Sequence, residues 1–223
     1  MSSTDRGAGP KRLVVLISGS GTNLQTLIDA TRQGSINGRI VAVISNKPGV
    51  RGLERAQSAD IPALTVDHRD FQRREDFDAA LAEQIESHRA DLVILAGFMR
   101  ILTPGFVNRF AGRMMNIHPS LLPRYPGLDT HRRAIDAGDR EAGATVHFVT
   151  EELDGGPAIV QARVPIHPDD TPATLAARVL EKEHLIYPYA VKLFCEGRLG
   201  LTGQGATLDG TLLPRTGLAY LDP

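Results

Sequence analysis

The sequence predicts an α/β fold: a single doubly wound, mostly parallel sheet with an antiparallel C-terminal extension. Apolar runs at residues 13–17, 40–44 and 92–96 do not alternate with polar residues, which is typical of strands buried on both faces. The segments between these runs carry apolar residues at helical spacing. Because strands that alternate with helices form parallel sheets, residues 13 to about 120 are expected to build the parallel part.

The individual elements follow in order from this pattern. The predicted strands lie at residues 13–17, 40–44, 63–66, 92–96, 113–118, 145–149 and 158–164, and the predicted helices at residues 52–59, 73–88 and 175–194, with one more after the turn at residues 19–23. A short loop with Gly and Pro joins the last two strands, so we expect these strands to pair antiparallel. The dipeptide Asp209-Gly210 between apolar flanks predicts a hairpin near the C-terminus.

The chain length predicts one domain, since 223 residues are enough to bury a single large core. Residues 1–12 are polar and contain two Gly and one Pro, without the apolar segment of a secretory signal. We therefore expect a disordered tail at residues 1–12 and a single domain at residues 13–223.

Composition and charge exclude several classes of protein. Lys and Arg number 25 against 26 Asp and Glu, so a net charge of −1 does not favour binding to nucleic acid or to an anionic membrane. The only cysteine, Cys195, excludes an intrachain disulfide, and no apolar run approaches the ~20 residues that cross a bilayer. These features predict a cytoplasmic protein.

The turn after the first strand is a candidate anion site. Gly21, Thr22 and Asn23 open the first helix, where free backbone N–H groups and the helix dipole favour a phosphate. A tight turn with a Thr or Asn cap is the alternative interpretation. The third glycine of a dinucleotide motif is missing, and no acidic residue ends the second strand at 45–47. A phosphate monoester is therefore expected rather than a dinucleotide.

A second candidate site combines an amide, an imidazole and a carboxylate. Asn116 and His118 are two residues apart on a predicted strand, so they share a face near its carboxyl end. Both can donate hydrogen bonds to the oxyanion that forms when an amine attacks a carbonyl. Asp154, before Gly-Gly-Pro, is the candidate carboxylate that favours the imidazolium form. The alternatives are a structural histidine and an ordinary turn residue, and His131, His147 or His184 could border the site.

Longer motifs around these residues resemble those of a known family. Residues 116–123, Asn-Ile-His-Pro-Ser-Leu-Leu-Pro, and residues 125–127, Tyr-Pro-Gly, resemble the signature of the folate-dependent formyltransferases. Residues 16–25 resemble the phosphate loop of the branch that acts on glycinamide ribonucleotide. Similarity at residues 93–102, 146–161 and 183–188 extends the resemblance from residue 13 to about residue 198. The resemblance implies a Rossmann-like formyltransferase fold.

The resemblance also implies a reaction. The formyl group of 10-formyltetrahydrofolate, a co-substrate, would move to the amine of glycinamide ribonucleotide, giving formylglycinamide ribonucleotide and tetrahydrofolate in purine (IMP) biosynthesis. No metal is implied. The expected partners are these small molecules, with no nucleic acid and no membrane, and the protein is expected to be a monomer or a homodimer.

Site residues are implied position by position. Asn116, His118 and Asp154 fall on the catalytic positions of the family, and Gly21, Thr22, Asn23 and Glu183 on those that hold the ribonucleotide. The folate pocket corresponds to Arg74, Met99, Arg100, Ile101, Leu102, Asn116, Thr150, Glu151, Glu152, Leu153 and Asp154. Residues 13–112 would then form the phosphate-binding and ribonucleotide-binding half, residues 113–198 the catalytic and folate-binding half, and residues 199–223 a C-terminal hairpin tail.

Two departures from the family pattern and three rival functions remain, and one departure is Thr22, which replaces a Ser. Asp129 stands where the family often has His, which is expected to change the loop over the formyl site slightly. A formyltetrahydrofolate hydrolase would use the same Asn, His and Asp with water as acceptor, but would not need a sugar-phosphate loop. A methionyl-tRNA formyltransferase would need a further C-terminal domain and a basic surface. A binding module without catalysis is disfavoured by the complete catalytic set.

Overall fold

The computed structural model describes residues 9–221, which contain eleven strands and six α-helices. The strands are β1 (Lys11–Ile17), β2 (Gly38–Ser45), β3 (Ala63–Thr65), β4 (Leu92–Leu95), β5 (Met114–His118), β6 (Glu141–Phe148), β7 (Ala158–Pro165), β8 (Leu199–Thr202), β9 (Gly205–Leu208), β10 (Thr211–Leu212) and β11 (Leu218–Ala219). The helices are α1 (Thr22–Arg32), α2 (Arg51–Ser58), α3 (Arg74–Ser87), α4 (Pro104–Arg109), α5 (Thr130–Asp136) and α6 (Pro172–Cys195), with a 3₁₀ turn at His68–Asp70.

Eight strands form one sheet in the order β11-β7-β6-β5-β4-β1-β2-β3. The five strands from β3 to β5 are parallel, and β6 and β7 add to them as antiparallel neighbours. The predicted mostly parallel sheet with an antiparallel extension is therefore confirmed. The order reverses beside β1, and at such a point the carboxyl ends of parallel strands leave a crevice for ligands.

Both faces of the sheet are covered, which explains the continuous apolar runs. On β1, Leu13, Val15 and Ile17 face one core layer, and Val14 and Leu16 face the other. The first layer packs against α1 and α6, and the second against α3 and α4. Since side chains alternate between the faces of a strand, burial on both faces requires every position to be apolar.

Helix α6 ties the two halves of the sheet together. Pro172 lies in its first turn, and Thr171 caps it. The side chain of Thr171 accepts from the backbone N–H of Thr174, and the side chain of Thr174 accepts from the backbone N–H of Thr171. The buried hydroxyl of Tyr187 shares its hydrogen between the main-chain carbonyls of Leu95, at the end of β4, at 2.8 Å and Met115, in β5, at 3.1 Å. Residues near Tyr187 are thereby held at the carboxyl edge of the sheet.

Three features near the ends of the chain differ from the sequence-based expectations or add to them. Strand β1 begins at Lys11, so the expected tail at residues 1–12 overlaps the sheet by two residues, and residues 1–8 lie outside the described part. The predicted hairpin forms between β9 and β10, with Asp209 and Gly210 at positive φ, and β8 extends it to three strands. Strand β11 then returns to the main sheet parallel to β7, so the segment at residues 199–221 is more than a hairpin.

Candidate active site

Polar side chains collect at the carboxyl ends of β1, β2, β4 and β5. Ser18, directly after β1, donates to Oδ1 of Asn46 at 2.6 Å and accepts from the backbone N–H of Met99 at 2.8 Å. These contacts hold together the loops that follow β1, β2 and β4, at one edge of the sheet. The edge contains both sites that the sequence predicts.

Asn116, His118 and Asp154 are brought together as predicted. Asn116 and His118 lie at the end of β5, and Nδ1 of His118 is 3.4 Å from Oδ2 of Asp154. His147 joins them, because the antiparallel register places it opposite Asn116. Its Nε2 is 3.2 Å from Nδ2 of Asn116 and 3.9 Å from Oδ1 of Asp154. The sequence marked His147 only as one of three histidines that could border the site, and its alternation along β6 was the available signal.

The protonation of His147 follows from its contacts. Burial lowers the pKa of His147 to about 4, although the carbonyl of Phe148 and the carboxylate of Asp154 act in the opposite direction. His147 is therefore neutral at pH 7, and its approach to Asp154 is no ion pair. Nδ1 lies 2.9 Å from the carbonyl of Phe148, which can only accept, so Nδ1 carries the proton. Nε2 is then an acceptor, and the amide nitrogen of Asn116 donates to it.

His118 is buried between two acceptors. Its Nε2 lies 2.9 Å from the main-chain carbonyl of Tyr125, so Nε2 carries a proton. Its Nδ1 faces Asp154 at 3.4 Å, which is longer than a normal hydrogen bond. The Nδ1 edge of the ring is therefore held less tightly than the Nε2 edge, and it faces Asp154.

The turn around Asp154 fixes its carboxylate. Asp154 has a φ of 52°, and its Oδ2 accepts from the backbone N–H of Gly127 at 2.9 Å. A side chain at Gly156 would collide with the carbonyl of Phe148, so the chain can pass β6 only with glycine at this position. This geometry accounts for the second glycine of the Gly-Gly pair after Asp154. It brings a carboxylate from one loop to a histidine 36 positions earlier in the chain.

The predicted anion site lies at the start of α1. Gly21 precedes the helix with a φ of 70°, and no side chain caps the helix. The alternative interpretation, a turn capped by Thr22 or Asn23, is therefore wrong, and the first backbone N–H groups of α1 lack a side-chain acceptor. A Cβ at Gly21 would lie 2.8 Å from the Cα of Gly52. Glycine is thus required here for packing as well as for its backbone conformation.

Glu183 reaches this turn from α6. Its Oε2 accepts from Nδ2 of Asn23 at 2.7 Å, and Oδ1 of Asn23 is buried without a partner among the described residues. Burial raises the pKa of Glu183 above its ordinary value, and the hydrogen bond from Asn23 opposes that shift. The structure thus places Glu183 beside Gly21 and Asn23, although 160 positions separate it from Asn23.

Three of the predicted folate positions are exposed apolar side chains, in the loops after β4 and β6. Met99, Ile101 and Leu153 are 66%, 56% and 55% exposed, which is unusual for large apolar side chains. Their loops also carry Arg100, half-buried Leu102 and Thr150, and exposed Glu151 and Glu152. Oε1 of Glu151 accepts from Asn108 at 2.6 Å, and the guanidinium of Arg100 lies 4.7 Å from the ring centroid of Phe77.

Arg74 and Asp129, two further residues that the sequence singled out, are exposed. Arg74 begins α3, and its side chain makes no hydrogen bond or ion pair with any described residue. Asp129, the departure from the family pattern, is exposed before α5 with a φ of 56°, and its side chain does not cap that helix.

The described part of the chain holds no cluster of three or more His, Cys, Asp or Glu side chains that could bind a metal ion. Within residues 9–221, no helix has both the length and the apolar composition needed to cross a membrane.

Comparison with known proteins identifies the family. The sequence model of the formyl transferase family matches residues 11–191. A Haemophilus influenzae protein named phosphoribosylglycinamide formyltransferase is 52% identical over 94% of this chain and 99% of its own length. An Escherichia coli protein of the same name is 52% identical over 93% and 98%. The solved structure of phosphoribosylglycinamide formyltransferase from Coxiella burnetii, in complex with CHES, has 50% identity and a TM-score of 0.92 over 95% of this chain and 100% of that one. The chain therefore belongs to the formyl transferase family.

Proposed function

We propose that this protein transfers the formyl group of 10-formyltetrahydrofolate to the amine of glycinamide ribonucleotide, a step of purine biosynthesis. The observation that carries the proposal is that Asn116, His118 and Asp154 converge at the same edge of the sheet as the uncapped start of α1. A formyl-transfer centre and an anion site thus share one edge of the sheet. The proposal agrees with the names of relatives that are 52% identical over nearly their whole length.

The ribonucleotide is assigned to the start of α1. Its phosphate would accept from the backbone N–H groups at Gly21, Thr22 and Asn23, where the positive end of the helix dipole adds to the attraction. The unpartnered Oδ1 of Asn23 and the carboxylate of Glu183 offer acceptors for hydroxyl or amine groups of the same ligand. These groups would orient the amine toward β5.

The folate is assigned to the exposed apolar surface between the loops at residues 99–102 and 150–154. Met99, Ile101 and Leu153 would cover its flat ring, and the free guanidinium of Arg74 would attract its carboxylates. The residues present therefore fit a ligand that has an apolar ring at one end and acidic groups at the other. When bound, the folate supplies the formyl carbonyl.

The chain's own groups stabilise the negative charge that develops on the formyl oxygen. Asn116 donates one amide hydrogen to His147, which leaves its second amide hydrogen for the oxyanion. His118 offers its Nδ1 edge as a second group for the oxyanion, and this edge lies 3.4 Å from Oδ2 of Asp154. A proton leaves the attacking amine and one reaches the departing folate nitrogen, so the transfer is balanced without an external acid or base.

The hydrolase alternative is not supported. Relatives that share half of the residues over the whole chain are named as transferases. The uncapped start of α1 is suited to the phosphate of a ribonucleotide acceptor, and it would have no ligand if water were the acceptor. The proposal further assigns the enzyme to the cytoplasm, with small molecules as its ligands.

The test is formyl transfer by purified protein with both substrates. We expect tetrahydrofolate to form only when the ribonucleotide is present, together with an equal amount of formylated ribonucleotide. Release of formate from the folate at the same rate without ribonucleotide would instead identify a hydrolase. Absence of both reactions in a folded protein would leave only a binding function.

A further inference from the structure

The main chain at residues 125–127 contacts both His118 and Asp154. The carbonyl of Tyr125 accepts from Nε2 of His118 at 2.9 Å, and the N–H of Gly127 donates to Oδ2 of Asp154 at 2.9 Å. One short segment therefore determines how the imidazole and the carboxylate face each other. This contact involves no side chain of the segment, so sequence motifs do not reveal it.

The backbone of this segment is unfavourable by itself. Tyr125 has a φ of 55°, which is uncommon for a bulky residue and persists only when its surroundings hold it. Gly127, with a φ of 80°, follows two positions later. Ser120 and Arg133 donate to the carbonyls of Arg124 and Pro126 at 2.6 Å each, and the contacts made by the Tyr125 side chain add to this restraint.

A single carboxylate provides the central part of that restraint. Oδ2 of Asp139 accepts from the hydroxyl of Tyr125 at 2.8 Å, and Oδ1 accepts from Nη2 of Arg124 at 2.6 Å. The Asp139 side chain is only 11% exposed, and its backbone N–H donates to the carbonyl of Ala134 in α5. Arg124 and Arg133 also place their guanidinium groups over the Tyr125 ring, at 5.3 and 5.2 Å from its centroid.

We propose that Asp139 is a positioning residue of this site, which acts through Tyr125 to hold the Nε2–H of His118 and so keeps Nδ1 directed at the reacting carbonyl. The inference rests on the proposed function. The neutral ring is then held as the Nε2–H tautomer, because a carbonyl oxygen only accepts. Protonation of the ring places the second N–H on Nδ1, facing Asp154. The hydrogen bond of Tyr125 to Asp139 also raises the pKa of the phenol, which keeps the hydroxyl a donor.

The experiment compares Asp139→Ala with Asp67→Ala. Asp67 is a matched control, because it too pairs with an arginine at 2.6 Å and its side chain is 13% exposed. It follows β3, four strands from β5, which is about 19 Å at ~4.8 Å per strand. We expect Asp139→Ala to lower kcat about 10- to 100-fold with little change in the KM of either substrate, since misplacement of a reacting group by ~1 Å has effects of this size. Asp67→Ala should keep wild-type kcat.

A second readout needs no turnover. The ¹⁵N chemical shifts of the His118 ring, assigned with His118→Gln and followed up to about pH 9, report which nitrogen carries the proton. We expect the Nε2–H tautomer to dominate in the wild-type protein and in Asp67→Ala, and a mixture of tautomers in Asp139→Ala. Asp139→Asn, which keeps the size and one acceptor oxygen, should lie between wild type and Asp139→Ala in both measurements.

The outcomes separate the inference from the function. A lowered kcat with unchanged tautomers would make Asp139 a general stability residue and would overturn the proposal, as would a wild-type kcat in folded Asp139→Ala. A wild-type His118 that is protonated on Nδ1 when neutral would overturn it as well. If the wild-type protein transfers no formyl group to the ribonucleotide, the proposed function fails, and the tautomer measurement still decides whether Asp139 controls His118.

Discussion

At the residue scale, the amide of Asn116 has a defined orientation, because Nε2 of His147 can only accept a hydrogen bond from it. Nε2 of His147 lacks a proton, since Nδ1 uses its proton for the carbonyl of Phe148. The amide nitrogen of Asn116 must therefore face His147. This arrangement leaves one N–H of the amide for substrate and suits a group that stabilises negative charge.

Removal of that donor is predicted to slow chemistry more than binding. Asn116→Ala should lower kcat ~10²- to 10³-fold, which is typical for loss of one oxyanion donor. Steady-state kinetics with both substrates measure this, and Asn37→Ala, an exposed loop residue, serves as a control. Near wild-type kcat in a folded Asn116→Ala protein would contradict the assignment.

His147 also makes stability depend on pH. Its pKa is lowered from 6.5 to about 4 in the folded protein, so the unfolded chain binds the proton more tightly. The contribution to stability is complete above about pH 6.5 and is lost as the pH falls toward 4. Between pH 7.5 and 5, wild type should lose about 2 kcal/mol more free energy of unfolding than His147→Gln. Urea unfolding at both pH values measures the difference, and equal losses would show that His147 is charged when folded.

At the scale of elements, the start of α1 contacts the middle of α6, where we propose that the ribonucleotide binds. Glu183 lies one turn before Tyr187, whose hydroxyl anchors α6 under β4 and β5. The anchored turn presents the carboxylate to Asn23. Substitution of Gly21 would test this site poorly, because any side chain there also clashes with Gly52.

Glu183→Gln is a sharper test of the same site. It keeps the shape of the side chain and removes its charge, so we expect the KM for the ribonucleotide to rise about tenfold, as for loss of one charge-assisted hydrogen bond of ~1.5 kcal/mol. The KM for the folate should change little. Glu181→Gln, an exposed position on α6, is the matched control. Equal changes in both Michaelis constants would indicate a general disturbance of the edge of the sheet.

At the scale of the whole molecule, one sheet and one main core cluster cross the expected boundary between the two halves. The cluster contains Leu13 and Leu24 from the first half and Val146, Ile159 and Tyr187 from the second. Residues 13–112 and 113–198 therefore share their core. Neither half buries its apolar surface alone.

Thermal unfolding is accordingly expected to be a single cooperative transition. The calorimetric enthalpy should equal the van't Hoff enthalpy, which is the signature of two-state unfolding. Far-ultraviolet circular dichroism and tyrosine absorbance should give the same midpoint. Two separated transitions would mean that the halves are distinct domains.

The sequence alone predicted the order of strands β1 to β7 and marked the glycine-rich turn before α1 as a candidate anion site. These features depend on neighbouring residues: apolar runs predict buried strands, and a glycine-rich turn between a strand and a helix predicts free N–H groups. The pairing of Asn116 with His118 was predictable for the same reason, since residues two apart share one face of a strand. Asp154 was a candidate carboxylate because the Gly-Gly-Pro turn fixes its backbone, although Asp before Gly-Gly is usually a turn residue, and the resemblance to a family placed it on a catalytic position.

Only the tertiary structure decided which distant groups complete the site. The register between β5 and β6 places His147 against Asn116, and packing of α6 brings Glu183 to Asn23 across 160 positions. The support of His118 by Tyr125 and Asp139 passes through a main-chain carbonyl, which every residue possesses and no sequence pattern marks. Strand register, helix packing and backbone contacts are set by the whole core, and for this reason they lie beyond local sequence signals.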